Sequence, residues 1–124
     1  MKFTLDTRAD RMLVRAYGAG ELRIGDEIVR APCIVAPDRL VSRWEAQSAA
    51  TLTLAQLEPV LALAPEVVIL GSNAQPRMPA AEVRAALSGQ RVGLEVMDLG
   101  AACRTFNILV QEERSVVALL FVGS

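Results

Sequence analysis

The chain has 124 residues, 52% of them apolar, which is enough for one domain with a full hydrophobic core; a chain of this size buries roughly two-thirds of its unfolded surface. Its formal net charge is −1 and it contains no histidine. The first fact argues against nucleic acid or an anionic membrane as partner, and the second removes the commonest general base and the commonest transition-metal ligand together.

Every basic residue except Lys2 is arginine, whose planar fork pairs bidentately with carboxylates and suits interfaces. Residues 1–11 mix acids and bases and lack the apolar core of a signal peptide. No apolar run approaches the roughly 20 residues that span a bilayer, so the expected setting is the cytoplasm. Cys33 and Cys103 form no C-x-x-C pattern. Spacing leaves their pairing open, and two buried thiols in a reducing compartment is the simpler reading.

In chain order, residues 12–17 read as a first strand. Residues 22–24 and 27–29 follow as a hairpin around Gly25-Asp26, where glycine supplies the positive φ of a tight turn. Residues 33–36 form a fourth short strand, bracketed by Pro32 and Pro37 and therefore expected at an edge or between turns. Residues 41–48, which carry the lone tryptophan, Trp44, have no decisive pattern. Thr53 and Gln56 are spaced as a capping box, opening a helix to about Ala64 that Pro59 bends or shortens. Residues 66–70 (EVVIL) are a β-branched run suited to a strand covered on both faces.

Pro79 then starts a helix over residues 80–88, with Gly89 as its terminating glycine. A strand over residues 92–97 leads to Asp98, the N-cap of a helix over 99–113, and residues 115–122 close the chain as a strand. The order predicts an α/β fold: a layered structure with a mixed, mostly parallel central sheet, right-handed crossovers, and N-terminal hairpin strands beside or over it. A single domain over residues 1–124 is expected.

At about 100° per residue, the last helix places Leu99, Ala102, Cys103, Phe106, Leu109 and Val110 on one face, which should pack on the sheet. Cys103 is then a small core side chain. A reactive thiol near a helix start is the competing reading, with no histidine to activate it. A second stripe carries Gly100, Arg104, Asn107, Gln111 and Arg114. It is either a solvated face or a hydrogen-bonding surface for a partner, since arginine and two amides present several directed donors. Glu112 and Glu113 diverge too far around the helix to ligate one ion together. No metal or cofactor site is expected.

If the strands at 66–70 and 92–97 are parallel neighbours, the loops after them share the carboxyl edge, where open α/β sheets place ligands. Gly71, Ser72, Asn73 and Asp98 would line that crevice. Neither a Rossmann nor a Walker fingerprint is present, and Gly18-Ala19-Gly20 reads as a turn between strands.

The stretch Leu94-Glu95-Val96-Met97-Asp98-Leu99-Gly100-Ala101-Ala102-Cys103-Arg104-Thr105-Phe106-Asn107-Ile108-Leu109 resembles a family of small α/β proteins, as do Glu112-Glu113-Arg114 and Val68-Ile69-Leu70-Gly71. That family contains many bacterial and archaeal proteins of unknown function and a mitochondrial complex I assembly factor. The resemblance runs from about Tyr17 to Phe121 and includes Gly18–Gly20, Pro32 and Trp44. It implies a layered α/β fold, no established catalytic residue or cofactor, and action through protein contacts. One departure is Gly71-Ser72-Asn73, where the family often has Gly-Thr-Gly. The function expected is therefore a non-enzymatic interaction or assembly-factor-like module that binds a protein partner. The alternative is a small-ligand-binding protein or weak enzyme using the crevice at Gly71-Ser72-Asn73 and Asp98.

Overall fold

The computed structural model describes residues 11–73 and 75–123; the amino-terminal reading of residues 1–10 lies outside them. Two sheets are present among the described residues. Strands β1 (Val14–Gly18), β2 (Glu21–Ile24) and β3 (Glu27–Val29) form an antiparallel three-stranded sheet in sequence order. Gly20 (φ 76°) and Gly25 (φ 58°) make its two turns, in the left-handed region that favours glycine.

Strands β4 (Cys33–Ala36), β5 (Arg39–Val41), β6 (Val67–Ser72), β7 (Gly93–Asp98) and β8 (Val116–Phe121) form a five-stranded sheet ordered β5-β4-β8-β6-β7. Strand β6 runs parallel to both β7 and β8, while β4 is antiparallel to β8 and β5. The sheet is thus mixed, with a parallel core and an antiparallel hairpin along one side. The proline-bracketed strand is second from the edge, because Pro37-Asp38 turns the chain directly into β5. Strand β5 was not among the expected elements, and only its last residue, Val41, falls in the undecided region. Beyond it, Trp44 holds an irregular segment in place, donating from Nε1 to the Gln56 carbonyl (3.0 Å) and packing on Phe121 at 5.4 Å between ring centroids.

Three helices join these strands among the described residues. Helix α1 (Leu54–Leu61) has the expected capping box: Thr53 Oγ1 accepts from the Gln56 N–H (3.2 Å), and Gln56 Oε1 accepts from the Thr53 N–H (3.0 Å). It ends at Leu61 rather than Ala64. Pro59 sits inside it and removes one donor from its ladder, and the chain tightens into short-range bonds from Leu63 to Val60 and Ala64 to Leu61. Helix α2 (Ala81–Gly89) includes Gly89 as its last residue, so the left-handed terminating position falls on Arg91 (φ 59°). Helix α3 (Leu99–Gln111) starts at Asp98, whose Oδ1 accepts from the Ala101 N–H at 2.8 Å. It ends in a Schellman pattern: the Glu113 N–H reaches Val110, the Arg114 N–H reaches Leu109, and Glu113 takes φ 61°.

The five-stranded sheet separates two apolar layers. On one face Ile34, Val68, Leu70, Val117 and Leu119 pack with Leu57 and Val60 of α1 and Val83 and Leu87 of α2. On the other, Val35, Ile69, Ala118 and Leu120 meet α3 through Ala102, Cys103, Phe106 and Val110, and the small sheet adds Val14, Leu22, Ile24 and Val29 to the same cluster. Each large side chain buried this way contributes about 1.5–3 kcal/mol relative to exposure. The expected inner stripe of α3 is in place, with Leu109 partly buried at its margin. No helix among the described residues is long and apolar enough to cross a membrane.

Candidate functional site

Gly71 and Ser72 belong to strand β6, not to a loop beyond it. A Cβ at Gly71 would stand 2.4 Å from the Ala102 Cβ and 3.5 Å from the Leu99 Cα. The missing side chain therefore lets the first turn of α3 lie directly on the sheet, and Ser72 beside it is only 7% exposed. The crevice opens one residue later. Asn73 is exposed and lines a cleft of about 450 Å³ with Tyr17, Gly18, Ala19, Asp98, Leu99, Gly100 and Arg104.

Asn73 and Asp98, placed by sequence at the strand ends, thus share one cleft with Arg104, placed by sequence on the helix surface. The link is Tyr17, the chain's single tyrosine, whose hydroxyl accepts a hydrogen bond from Arg104 Nη1. Gly100 makes room for it, since a Cβ there would meet the Tyr17 ring at 3.0–3.2 Å. Tyr17 keeps 46% of its surface exposed. A second cleft of about 400 Å³ shares Tyr17, Gly18 and Ala19 with the first and is further lined by Ala16, Glu21, Arg23 and Ile28.

The other stripe residues lie elsewhere. Asn107 is half-buried and gives both ends of its amide to the main chain of Val14 in β1. Gln111 is exposed two turns past Arg104. Arg114 follows the end of α3, pairs with Glu66 at 3.5 Å, and lines a cleft of about 600 Å³ at the opposite end of the helix with Arg11, Asp38 and Arg39. The Ser115 N–H and then the Arg114 guanidinium hold the Glu66 carboxyl below its ordinary value. That cleft is larger than the one at Tyr17, but its Arg39 and Arg114 already have acidic partners.

Tyr17, Gly18 and Ala19 are lining residues that sequence reasoning missed, Leu99 was read only as core, and Gly100 was placed on the helix stripe without a role. One local signal exists: Gly100 lies one turn before Arg104 on the same stripe, and a glycine there marks a place where another group packs closely. Both thiols are buried in the core. Burial, and secondarily the neighbouring Cys103, pushes Cys33 up to about 12. Burial also pushes Cys103 up to about 12, with Arg104 opposing and Asp98 reinforcing the shift. Thiols so protonated are inert near neutral pH.

An antiparallel three-stranded sheet and a helix packed together on one face of a mixed five-stranded sheet define a layered α/β class of protein. Within that class, residues 14–121 match a family described as "Protein of unknown function (DUF498/DUF598)", and the chain belongs to that family. It is 31% identical over 110 residues to the NADH dehydrogenase [ubiquinone] 1 alpha subcomplex assembly factor 3 of Danio rerio, an alignment covering 87% of this chain and 63% of that protein. The chain therefore spans less than two-thirds of that relative's length. Among solved structures, a Xanthomonas campestris protein superposes with a TM-score of 0.82 at 35% identity, covering 90% of this chain and 85% of its own. A Bordetella parapertussis protein superposes equally well, with a TM-score of 0.82 at 34% identity and coverage of 90% and 96%.

Proposed function

We propose that the protein is a non-enzymatic interaction module of assembly-factor type, docking a protein partner on the face made by Tyr17, Gly18, Asn73, Asp98 and Arg104. The observation that carries this reading is the Tyr17–Arg104 hydrogen bond. It holds a cation beside an exposed aromatic ring, and both residue types are enriched at protein interfaces. Ile108, one turn further along α3 and 54% exposed, extends the face with apolar surface. The family relatives named as assembly factors support the same class of activity. The cleft offers hydrogen-bond donors and acceptors, whereas the two thiols lie protonated in the core.

The test is capture from native lysate with tagged wild type and with the Tyr17→Ala/Arg104→Ala double variant, read by mass spectrometry. A partner enriched by wild type and lost on the folded double variant is the expected result. Identical capture by both proteins would overturn the reading, as would no enrichment by either. The second reading, a small-ligand site, is favoured by the cleft's volume of about 450 Å³. It requires instead that a small molecule co-purify with wild type and be absent from the double variant.

A further inference from the structure

We propose that the cleft between the β1–β2 turn and the start of α3 is a carboxylate-binding site that takes an acidic side chain or carboxyl terminus of a partner polypeptide. The inference deepens the interaction reading and rests on it for the source of the carboxylate. The chemistry itself stands on four features of the cleft.

Arg104 supplies the charge. It is exposed and lines the cleft, and it is absent from the ion pairs within 4 Å among the described residues, which join Arg30 to Glu21, Arg39 to Asp38 and Arg114 to Glu66. Its guanidinium is oriented in advance. The Tyr17 hydroxyl accepts one donor from Nη1, leaving further donors of the planar fork for a two-oxygen ligand. Tyr17 is itself seated over Gly100, so the direction of Arg104 traces back to a missing side chain one turn earlier.

Asp98 selects which anion enters. One of its oxygens, Oδ1, caps α3 through the Ala101 N–H, yet its negative charge still faces the cleft. A dianion such as phosphate meets that charge unfavourably. A singly charged carboxylate attached to a peptide N–H suits it, because the N–H can donate to the aspartate while Arg104 holds the carboxylate. Asn73 adds an amide donor at the rim. Finally, the wall at Gly18 is bare: a Cβ there would have no heavy atom within 4 Å, and its φ lies outside the left-handed region. The space beside it is open to an incoming chain, and a larger residue would occupy that space without straining the fold.

The experiment is a titration of the isotope-labelled full chain, following the amides of Gly18 and Gly100 and the side-chain Nε–H of Arg104 by NMR. The probes are N-acetylglycine, N-acetylglycinamide and inorganic phosphate. N-acetylglycine is expected to shift these signals saturably, with the amide at least about tenfold weaker, as loss of one charge-assisted bond implies, and phosphate weaker through repulsion from Asp98. Arg104→Ala abolishes the response. Gly18→Leu blocks it while signals from the remote helix α2 stay in place, which separates occlusion from unfolding. Two further peptides identify the source: one with an internal glutamate and an amidated end, one without acidic side chains and with a free carboxyl terminus. A response to either supports the proposal. Equal response to N-acetylglycine and its amide, or no shift at Gly18, Gly100 and Arg104, overturns it. A partner captured through Tyr17 and Arg104 would then keep the interaction reading standing alone.

Discussion

Asn107 on α3 and Val14 on β1 exchange two hydrogen bonds, the Val14 N–H donating to Oδ1 at 2.9 Å and Nδ2 donating to the Val14 carbonyl at 2.8 Å. The amide side chain does for one residue of an edge strand what a neighbouring strand would do. The register of β1 against β2 shifts between Val14 and Ala16, so this tie fixes the strand where its own pairing is irregular. Asn107→Ala removes both bonds and leaves two main-chain groups to find water. A loss of about 2–3 kcal/mol in denaturant unfolding is expected, with faster amide exchange in β1 and little change in β6. Unchanged exchange in β1 would show that apolar contact alone holds the small sheet.

Gly71 and Ala102 form a second fitted pair. Gly71→Ala places two methyl groups 2.4 Å apart, so α3 must lift from the sheet. Overpacking of this kind costs about 1–3 kcal/mol. Ala102→Gly should cost about 1 kcal/mol alone through helix propensity. The double variant is expected to be more stable than the sum of the two losses predicts, and strict additivity in a thermal or denaturant cycle would refute the direct contact.

Each of the three helices among the described residues is followed by a non-glycine residue at positive φ: Ala64 (49°), Arg91 (59°) and Glu113 (61°). At the Schellman position after α3, Glu113→Gly relieves that conformational cost and removes a negative charge from the carboxyl end of the helix dipole. A gain of about 0.5–1 kcal/mol is expected for it, and a similar gain for Arg91→Gly. Lower melting temperatures for both variants would contradict the argument.

The buried thiols give stability a dependence on alkaline pH. Cys33 and Cys103 ionise near 12 in the folded protein against an ordinary value of 9.0. A folded value above the unfolded one means that the contribution is complete below pH 9 and is lost as pH rises toward 12. Each thiol then steepens the decline by up to about 1.4 kcal/mol per pH unit. The Cys33→Ala/Cys103→Ala variant should begin less stable but show a shallower decline between pH 9 and 11. Parallel curves would disprove the linkage. In the native wild type, both thiols should also resist iodoacetamide at pH 8 until the chain unfolds.

Features set by neighbouring residues were readable in advance. Thr53 and Gln56 cap α1, Asp98 caps α3, and the apolar stripe from Leu99 to Val110 faces the core. The family relationship was legible from the residues around Cys103. Features set by distant contacts were not. Whether β6 stops at Leu70 or continues to Ser72 depends on pairing with Asp98 and Phe121, and no local pattern encodes those partners. Asn107 has the composition of a surface residue, yet its partner lies 93 positions away. Tyr17 reaches Arg104 across 87 positions, so the cleft existed in the sequence only as two unrelated fragments.

The clasp between Val14 and Asn107 also sets the order of events during synthesis. The first strands leave the ribosome long before α3 exists, and β4 must likewise wait for β8, where Cys33 pairs with Leu120. Neither the small sheet nor the β4–β5 hairpin can reach its final docking position until nearly the whole chain is available. Such dependence on distant contacts slows folding and exposes unpaired strand edges meanwhile. The nascent chain therefore passes through an interval in which its amino-terminal half lacks the lid that its carboxyl-terminal helix later provides.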